Sequence, residues 1–129
     1  MMDDEQKKTR IRELNDLARH RMGIACNVMM TPGIAALEAD RIEQILHEVE
    51  MFKDFTEDND PHGEHDAGFL YLNEAGLWVT RWTDERRRAS VSVMWKIDYY
   101  DRALQYGSEE PWNPGVTARV LTIMLTSEY

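Results

Sequence analysis

The densest group of residues that could carry chemistry lies between positions 54 and 66. Six acids occur there without a lysine or arginine, giving a formal charge of −6: Asp54, Glu57, Asp58, Asp60, Glu64 and Asp66. His62 and His65 lie among them. Carboxylates this close repel one another, so we expect the segment to bind a cation, to dock against a basic partner or to remain fully hydrated.

The spacing of these acids excludes a calcium-binding helix–loop–helix motif. Asp58, Asp60 and Gly63 fit positions one, three and six of such a loop. Position twelve, however, is Phe69, where a bidentate glutamate is required. A divalent metal could still be held in another way. The ligands for this weaker alternative would be Asp58, Asp60, His65 and Asp66.

Other catalytic patterns are incomplete, so no catalytic residue and no cofactor is predicted. Lys96 and Asp98 share one face of a predicted strand, but a metal-dependent nuclease would carry an acid where Met94 stands. An ion pair between Lys96 and Asp98 is the simpler expectation. Cys26 lies in an apolar run, which predicts a buried and inert thiol. No Gly-x-Ser-x-Gly sequence occurs.

Length and charge limit the class of protein. The chain has 129 residues, of which 43% are hydrophobic, so one domain spanning 1–129 with its own core is expected. Fifteen basic residues against 24 acidic ones give a formal net charge of −9. This balance excludes nonspecific coating of nucleic acid and disfavours anionic membrane surfaces.

Localisation follows from what the sequence lacks. No apolar run reaches membrane-spanning length, and the first residues are acidic where a signal peptide is basic. One cysteine cannot form an internal disulfide. We therefore expect a cytoplasmic protein.

Apolar residues recur every three or four positions in the first half, which is typical of helices. In the first helix Arg19 is predicted to lie among the basic residues of the polar sides, and Gly23 to end the helix. The predicted elements are a helix over 3–22, a strand over 24–30, a helical turn over 34–37, a helix over 38–55 and a loop over 56–66.

The apolar period changes to two in the second half, which predicts strands over 68–73, 77–83 and 91–99. Asn113-Pro114 resembles an N-cap followed by a first-turn proline, so a closing helix is predicted after it. The predicted fold class is α+β. It combines two N-terminal helices, a three-stranded antiparallel meander and a C-terminal helix packed on one sheet face.

A docking surface is predicted from aromatic and arginine residues. Trp78 and Trp82 share one face of their strand, whose two faces cannot both be buried without a covering element. Aromatic and arginine side chains are favoured at interfaces, whereas the core is the commoner place for tryptophan. The basic hairpin tip beside them comprises Arg86, Arg87 and Arg88.

Four strings in this chain resemble an uncharacterised bacterial domain-of-unknown-function family that plasmids and other mobile elements often carry. They are FTEDNDP (55–61), GEHD (63–66), WKIDYYD (95–101) and RVLTIML (119–125). The chain departs from that pattern at His62 and Ala67, and the stretch 73–93 is longer than the family norm. The resemblance implies a cellular context and no mechanism.

Together these features predict a non-catalytic acidic binding protein. With the resemblance, its specific form is an inhibitor of a bacterial defence system, an anti-CRISPR or antirestriction protein that competes for a basic nucleic-acid-binding surface. Its partner would be a protein, with no direct contact to nucleic acid or membrane. The partner-binding residues would be Glu57, Asp58, Asp60, Glu64, Asp66, Trp78, Trp82, Arg86, Arg87 and Arg88. The alternative is a small metal-dependent hydrolase or nuclease using the 58–66 loop with Lys96.

Overall fold

The chain combines helices with one sheet, as predicted. The computed structural model describes residues 1–80 and 89–129. In chain order the elements are α1 (Asp4–His20), β1 (Asn27–Met30), α2 (Pro32–Ala35), α3 (Ala39–Glu50), β2 (Ala67–Leu72), β3 (Trp78–Val79), β4 (Val91–Asp101), β5 (Thr117–Leu125) and a final 3₁₀ turn (Thr126–Glu128). The α+β class is confirmed.

The five strands form one mixed sheet in the order β1-β5-β4-β2-β3. The edge strand β1 runs parallel to β5, with Asn27 opposite Val120. The other neighbours are antiparallel, and Trp95 of β4 lies between Gly68 of β2 and Ile123 of β5. The parallel pair requires a long connection, which α2, α3 and the first antiparallel strands provide.

The predicted three-stranded meander is wrong in its strand order. The three predicted strands correspond to β2, β3 and β4, and a meander would place β3 in the middle. Instead, β2 lies between β3 and β4. The hairpin turn over 74–76 is confirmed, because Asn73 and Leu77 pair across it and Gly76 has a φ of +79°. β2 takes the central position because Leu70, Tyr71 and Leu72 are all buried, which requires cover on both faces.

The predicted closing helix is also wrong, because this segment is the strand β5. Its apolar residues fit a helical spacing only because both faces of a central strand are buried. Arg119, Leu121 and Ile123 alternate toward the helices, and β-branched residues favour the extended chain. Asn113 accepts the Gly115 N–H in a tight turn at 2.9 Å, so it does not cap a helix.

The helices α1, α2 and α3 all contribute to a core on one face of the sheet. Ala18 of α1, Ile34 of α2 and Ile45 of α3 pack in one cluster with Trp95. Trp95 is fully buried, and Cys26 is buried, as its place in an apolar run predicts. Within 1–80 and 89–129, no helix has the length and apolar character needed to cross a membrane.

The helix predicted over 38–55 ends earlier, at Glu50. Phe52 turns into the core, where its ring lies 5.4 Å from that of Trp95. The backbone carbonyls at this end of α3 accept hydrogen bonds from Arg19 of α1, as described below. Residues 51–66 therefore cross from the helices to the start of β2 as a loop.

Candidate functional site

The loop between α3 and β2 is held in shape by its own polar side chains. Asn59 accepts the Thr56 N–H at 2.7 Å and donates to the Asp54 carbonyl at 2.8 Å. Asp60 is 8% exposed, and its carboxylate accepts the backbone N–H groups of Glu64 and His65 at 3.1 and 3.3 Å. Asp60 thus organises the bend that leads into β2 and does not project into solvent.

Glu64 belongs to a buried polar network that joins the loop to α1 and the sheet. Asn15, fully buried in α1, donates to the Glu64 carbonyl at 3.0 Å and to the Tyr99 hydroxyl at 2.8 Å. Its Oδ1 accepts from Arg119 Nε at 2.8 Å. The Tyr99 hydroxyl in turn donates to the Glu64 carboxylate at 3.2 Å. Burial raises the pKa of Tyr99 far above its ordinary value, so this donor keeps its proton.

A second cluster joins α1 to the end of α3. Arg19 is 2% exposed and donates Nη1–H to the carbonyls of Val49 and Phe52 at 3.1 and 2.8 Å. Its Nη2 pairs with Asp16 at 2.7 Å. Burial lowers the pKa of Arg19, and the bond to Asp16 offsets part of that effect. Arg19 thus serves as the C-terminal cap of a neighbouring helix.

His65 lies between this cluster and the acidic loop. Its Nδ1 is 2.8 Å from Asp16 Oδ1, and its Nε2 is 3.8 Å from Asp60 Oδ2. The imidazole stacks on the Phe55 ring with centroids 3.8 Å apart. His65 has a φ of +56°, a left-handed conformation that histidine tolerates better than most residues. We call Asp16, Arg19, Asp60 and His65 the charged cluster.

The four residues of the weaker metal alternative, Asp58, Asp60, His65 and Asp66, do not form a metal-coordinating group in the described ranges. Across residues 1–80 and 89–129, no three His, Cys, Asp or Glu side chains converge in a way that could hold a metal ion. His65 directs one ring nitrogen at Asp16, and Asp60 binds backbone N–H groups. Asp58 lies exposed at the preceding turn.

The remaining acids of the loop differ in exposure. Glu57 and Asp58 are exposed, and neither makes an ion pair with any residue in the described ranges. Asp66 is half-buried beside β2, where burial, followed by the nearby Glu64, raises the pKa of its carboxyl. The outward charge of the loop is therefore concentrated at its first turn.

The exposed acids continue back along α3. Residues 38–58, the acidic segment, contain eight acids against Arg41 and Lys53, a formal charge of −6. The acids of this segment that are exposed are Glu38, Asp40, Glu43, Glu57 and Asp58. None of these five makes an ion pair or side-chain hydrogen bond in the part of the chain that the structure describes. Asp40 and Glu43 are one turn apart on the solvent side of the helix.

Trp78 and the Lys96–Asp98 pair have structural contacts. Trp78 is half-buried against the core and donates Nε1–H to Gln44 at 3.2 Å. Lys96 and Asp98 form the expected ion pair on the sheet face away from the helices. The predicted contacts at Trp82, Arg86, Arg87 and Arg88 lie outside the described residues.

Four residues that organise this region were missed in the sequence. Arg19 was predicted to be solvent-facing and is buried, which is a correction, and Asn15, Asp16 and Arg119 were not singled out. Asn15 and Arg19 are four residues apart, on the same face as the apolar Ile11 and Ala18. Polar residues within an apolar stripe are the sequence signal that would have identified Asn15 and Arg19.

The profile of a family described as a protein of unknown function (DUF3768) matches residues 30–128. No curated protein and no solved structure matches the chain. The matched range runs from the end of β1 through β5 and includes the acidic segment, but not α1. The chain belongs to this family of unknown function.

Proposed function

We propose that this chain is a non-catalytic binding protein whose partner is a protein with a basic, nucleic-acid-binding surface. The observation that supports this best is the acidic segment, where five exposed carboxylates make no ion pair among residues 1–80 and 89–129. Unpaired charges of one sign raise the rate at which an oppositely charged partner associates.

The arrangement of these acids suits competition with nucleic-acid phosphates. α3 has 12 residues and therefore spans about 18 Å at 1.5 Å per residue. Its exposed Asp40 and Glu43 are followed by Glu57 and Asp58 at the first turn of the loop. At both places, basic side chains that normally neutralise phosphates would contact carboxylates instead.

The inward part of the loop would hold the exposed Glu57 and Asp58 in place. Asp60 binds two backbone N–H groups, and the charged cluster joins the loop to α1. A fixed backbone lowers the conformational entropy that binding would otherwise cost. We therefore assign partner contact to Glu57 and Asp58, and a supporting role to Asp60, Glu64 and Asp66.

The specific form of the proposal is inhibition of a bacterial defence system, by an anti-CRISPR or antirestriction activity. It rests on the acidic segment together with the resemblance to a bacterial family that mobile elements often carry. Defence nucleases bind DNA or RNA through basic grooves, so an acidic protein of this size could occupy such a groove.

Affinity capture with a charge-neutral variant tests the proposal. The variant combines Asp40→Asn, Glu43→Gln, Glu57→Gln and Asp58→Asn. Immobilised wild-type protein is exposed at low salt to a nuclease-treated lysate of bacteria that carry restriction and RNA-guided systems. We expect it to retain a nucleic-acid-binding protein that a DNA or RNA oligonucleotide releases, and the variant to retain far less.

The matched control removes the same number of charges elsewhere, through Asp4→Asn, Glu13→Gln, Glu74→Gln and Glu109→Gln. All four positions are exposed. The control should retain the partner as well as wild type does. Equal retention by all three proteins, or retention that nucleic acid does not reverse, would show that the acidic segment is not the binding surface.

The metal-dependent hydrolase alternative is tested separately by calorimetric titration with manganese, magnesium and zinc. We expect no heat of binding and no change in melting temperature, because Asp60 and His65 already bind protein groups. Binding that disappears in Asp58→Asn would instead support a metal site.

A further inference from the structure

A cavity of about 330 Å³ lies where the end of α1, the turn before β1 and the first residues of β5 meet. Its walls include Leu14, Ile24, Arg102 and Arg119. This volume falls at the lower end of the range typical of small-molecule sites, which runs from about 300 to 1,000 Å³. The cavity is separate from the acidic segment and from the charged cluster, none of whose residues line it.

The charge of the cavity is opposite to that of the protein. Two arginines line it, and no aspartate or glutamate from the described ranges does. The chain as a whole has 24 acids and 15 bases. A local pair of cations without carboxylates is therefore unusual for this sequence and favours an anionic occupant.

Arg119 is the deeper of the two arginines. It is 5% exposed, and it makes no ion pair with a carboxylate in the described part of the chain. Its Nε donates to Asn15 and its Nη2 to the Pro111 carbonyl, while its guanidinium lies 5.1 Å above the Tyr99 ring. Nη1 has no hydrogen-bond acceptor among these residues. Glu64 is the nearby carboxylate that acts on Arg119 through space, but the two side chains form no ion pair. Arg119 can therefore still donate to an anion in the cavity.

The mouth of the cavity adds a second cation and an apolar surface. Arg102 is exposed and is anchored by the carbonyls of Pro114 and Gly115 at 2.7 and 3.3 Å. Leu17 is 45% exposed and Ile24 is 84% exposed on the same cavity. Large apolar side chains left in solvent beside a polar cavity are typical of a ligand-binding mouth.

We propose that this cavity binds a small amphipathic anion, a carboxylate or phosphate carried on a short apolar chain. The anionic group contacts Arg119 and Arg102, and the apolar chain covers Leu17 and Ile24. This site is independent of the proposed partner binding, so either can fail without the other.

Titration followed by two-dimensional ¹H–¹⁵N NMR tests the proposal on the full chain. The probes are hexanoate, hexyl phosphate, acetate and the neutral hexanol. We expect hexanoate, hexyl phosphate or both to shift the amide signals of Gly23, Ile24 and Ala118, and acetate and hexanol to have much weaker effects. Which anion binds more tightly distinguishes a carboxylate ligand from a phosphate ligand.

Substitutions at the mouth separate charge from structure. Arg102→Gln should weaken binding about tenfold, as the loss of a charge-assisted hydrogen bond does. Ile24→Glu should also weaken binding, whereas Ile24→Lys should not, and this exposed position tolerates both residues. Arg41→Gln on α3 is the matched control and should leave the affinity unchanged.

Three results would overturn the proposal. They are the absence of shifts with either hexyl anion, equal binding of hexanol, and an affinity that neither Arg102→Gln nor Ile24→Glu lowers. If Arg102→Gln disturbs the turn that Arg102 anchors, the comparison of Ile24→Glu with Ile24→Lys still tests whether charge at the mouth controls binding.

Discussion

Individual charged residues in this protein have opposite energetic roles although they are close in sequence. Asp58 is solvated, Asp60 is satisfied by backbone N–H groups, and Asp66 is half-buried beside Glu64. A count of acids therefore predicts the charge of the loop but not which carboxylates face outward. That distinction depends on the positions of backbone donors, which a spacing pattern does not contain.

Asp66 is expected to destabilise the folded state at neutral pH. Burial raises its pKa above the unfolded value, so folding loses stability as the pH rises through the pKa of the folded state. Asp66→Asn should therefore raise the melting temperature at pH 7. The gain should vanish at a pH below the pKa of an unfolded aspartate. Thermal melts of both proteins across this range test the sign, and a lower melting temperature for the variant at pH 7 would contradict it.

Arg19 is expected to be the most important polar residue of the interior. Arg19→Gln would leave the carbonyls of Val49 and Phe52 without their donor and Asp16 without its partner. We expect a loss of about 3 kcal/mol in the free energy of unfolding, measured by urea denaturation. Arg21→Gln, at an exposed neighbouring position, is the control. A loss of less than about 1 kcal/mol would show that water replaces these contacts.

Gly68 is required by the approach of two aromatic rings. A Cβ at this position would lie 2.5 Å from Trp95 Nε1 and 2.7 Å from Phe52 Cζ, and both side chains are buried. Gly68→Ala should lower the free energy of unfolding by about 1 to 3 kcal/mol, as overpacking does. Gly107→Ala has its nearest contact at 3.8 Å and should change little. Equal stability of the two variants would mean that the core relaxes around the methyl group.

At the scale of elements, Glu128 joins the C-terminal turn to the start of α2. Its carboxylate accepts from the Thr31 hydroxyl at 2.6 Å and from the N–H groups of Gly33 and Leu125 at 3.0 and 2.8 Å. These contacts connect the 3₁₀ turn after β5 with the start of α2. The bond to Thr31, followed by that to Leu125, lowers the pKa of Glu128.

The stabilising effect of Glu128 should depend on pH. A lowered folded-state pKa gives stability that is present above the unfolded glutamate pKa and is lost as the pH falls through the folded pKa. Glu128→Gln should lower protection of the Gly33 and Leu125 amides from hydrogen exchange at pH 7. The difference from wild type should shrink in acid. Identical protection at pH 7 would mean that Glu128 does not connect these elements.

The types of elements with one apolar face were predictable from the sequence, whereas the type of an element buried on both faces was not. The stripe of α1 and the alternation of β4 each face one covered side, so the predicted types are confirmed. β5 is buried on both faces, which removes the period that separates a strand from a helix. The end of α3 could not be read because its cap, Arg19, comes from another helix.

At the scale of the whole molecule, charge is divided among three regions. The acidic segment faces solvent, the charged cluster joins α1 to the loop, and two arginines line a cavity without carboxylates. The net charge of −9 shows none of this division. Sequence reasoning located the loop acids but missed the exposed acids of α3, although five acids with one arginine over 38–50 were visible.

The most direct test of the central claim is the association rate between this chain and its captured partner, measured by surface plasmon resonance over a series of salt concentrations. If the acidic segment steers binding, the rate should fall steeply as salt rises. The variant with Asp40, Glu43, Glu57 and Asp58 neutralised should associate slowly at low salt and show a much shallower dependence. A rate that salt does not change, equal in both proteins, would contradict the account.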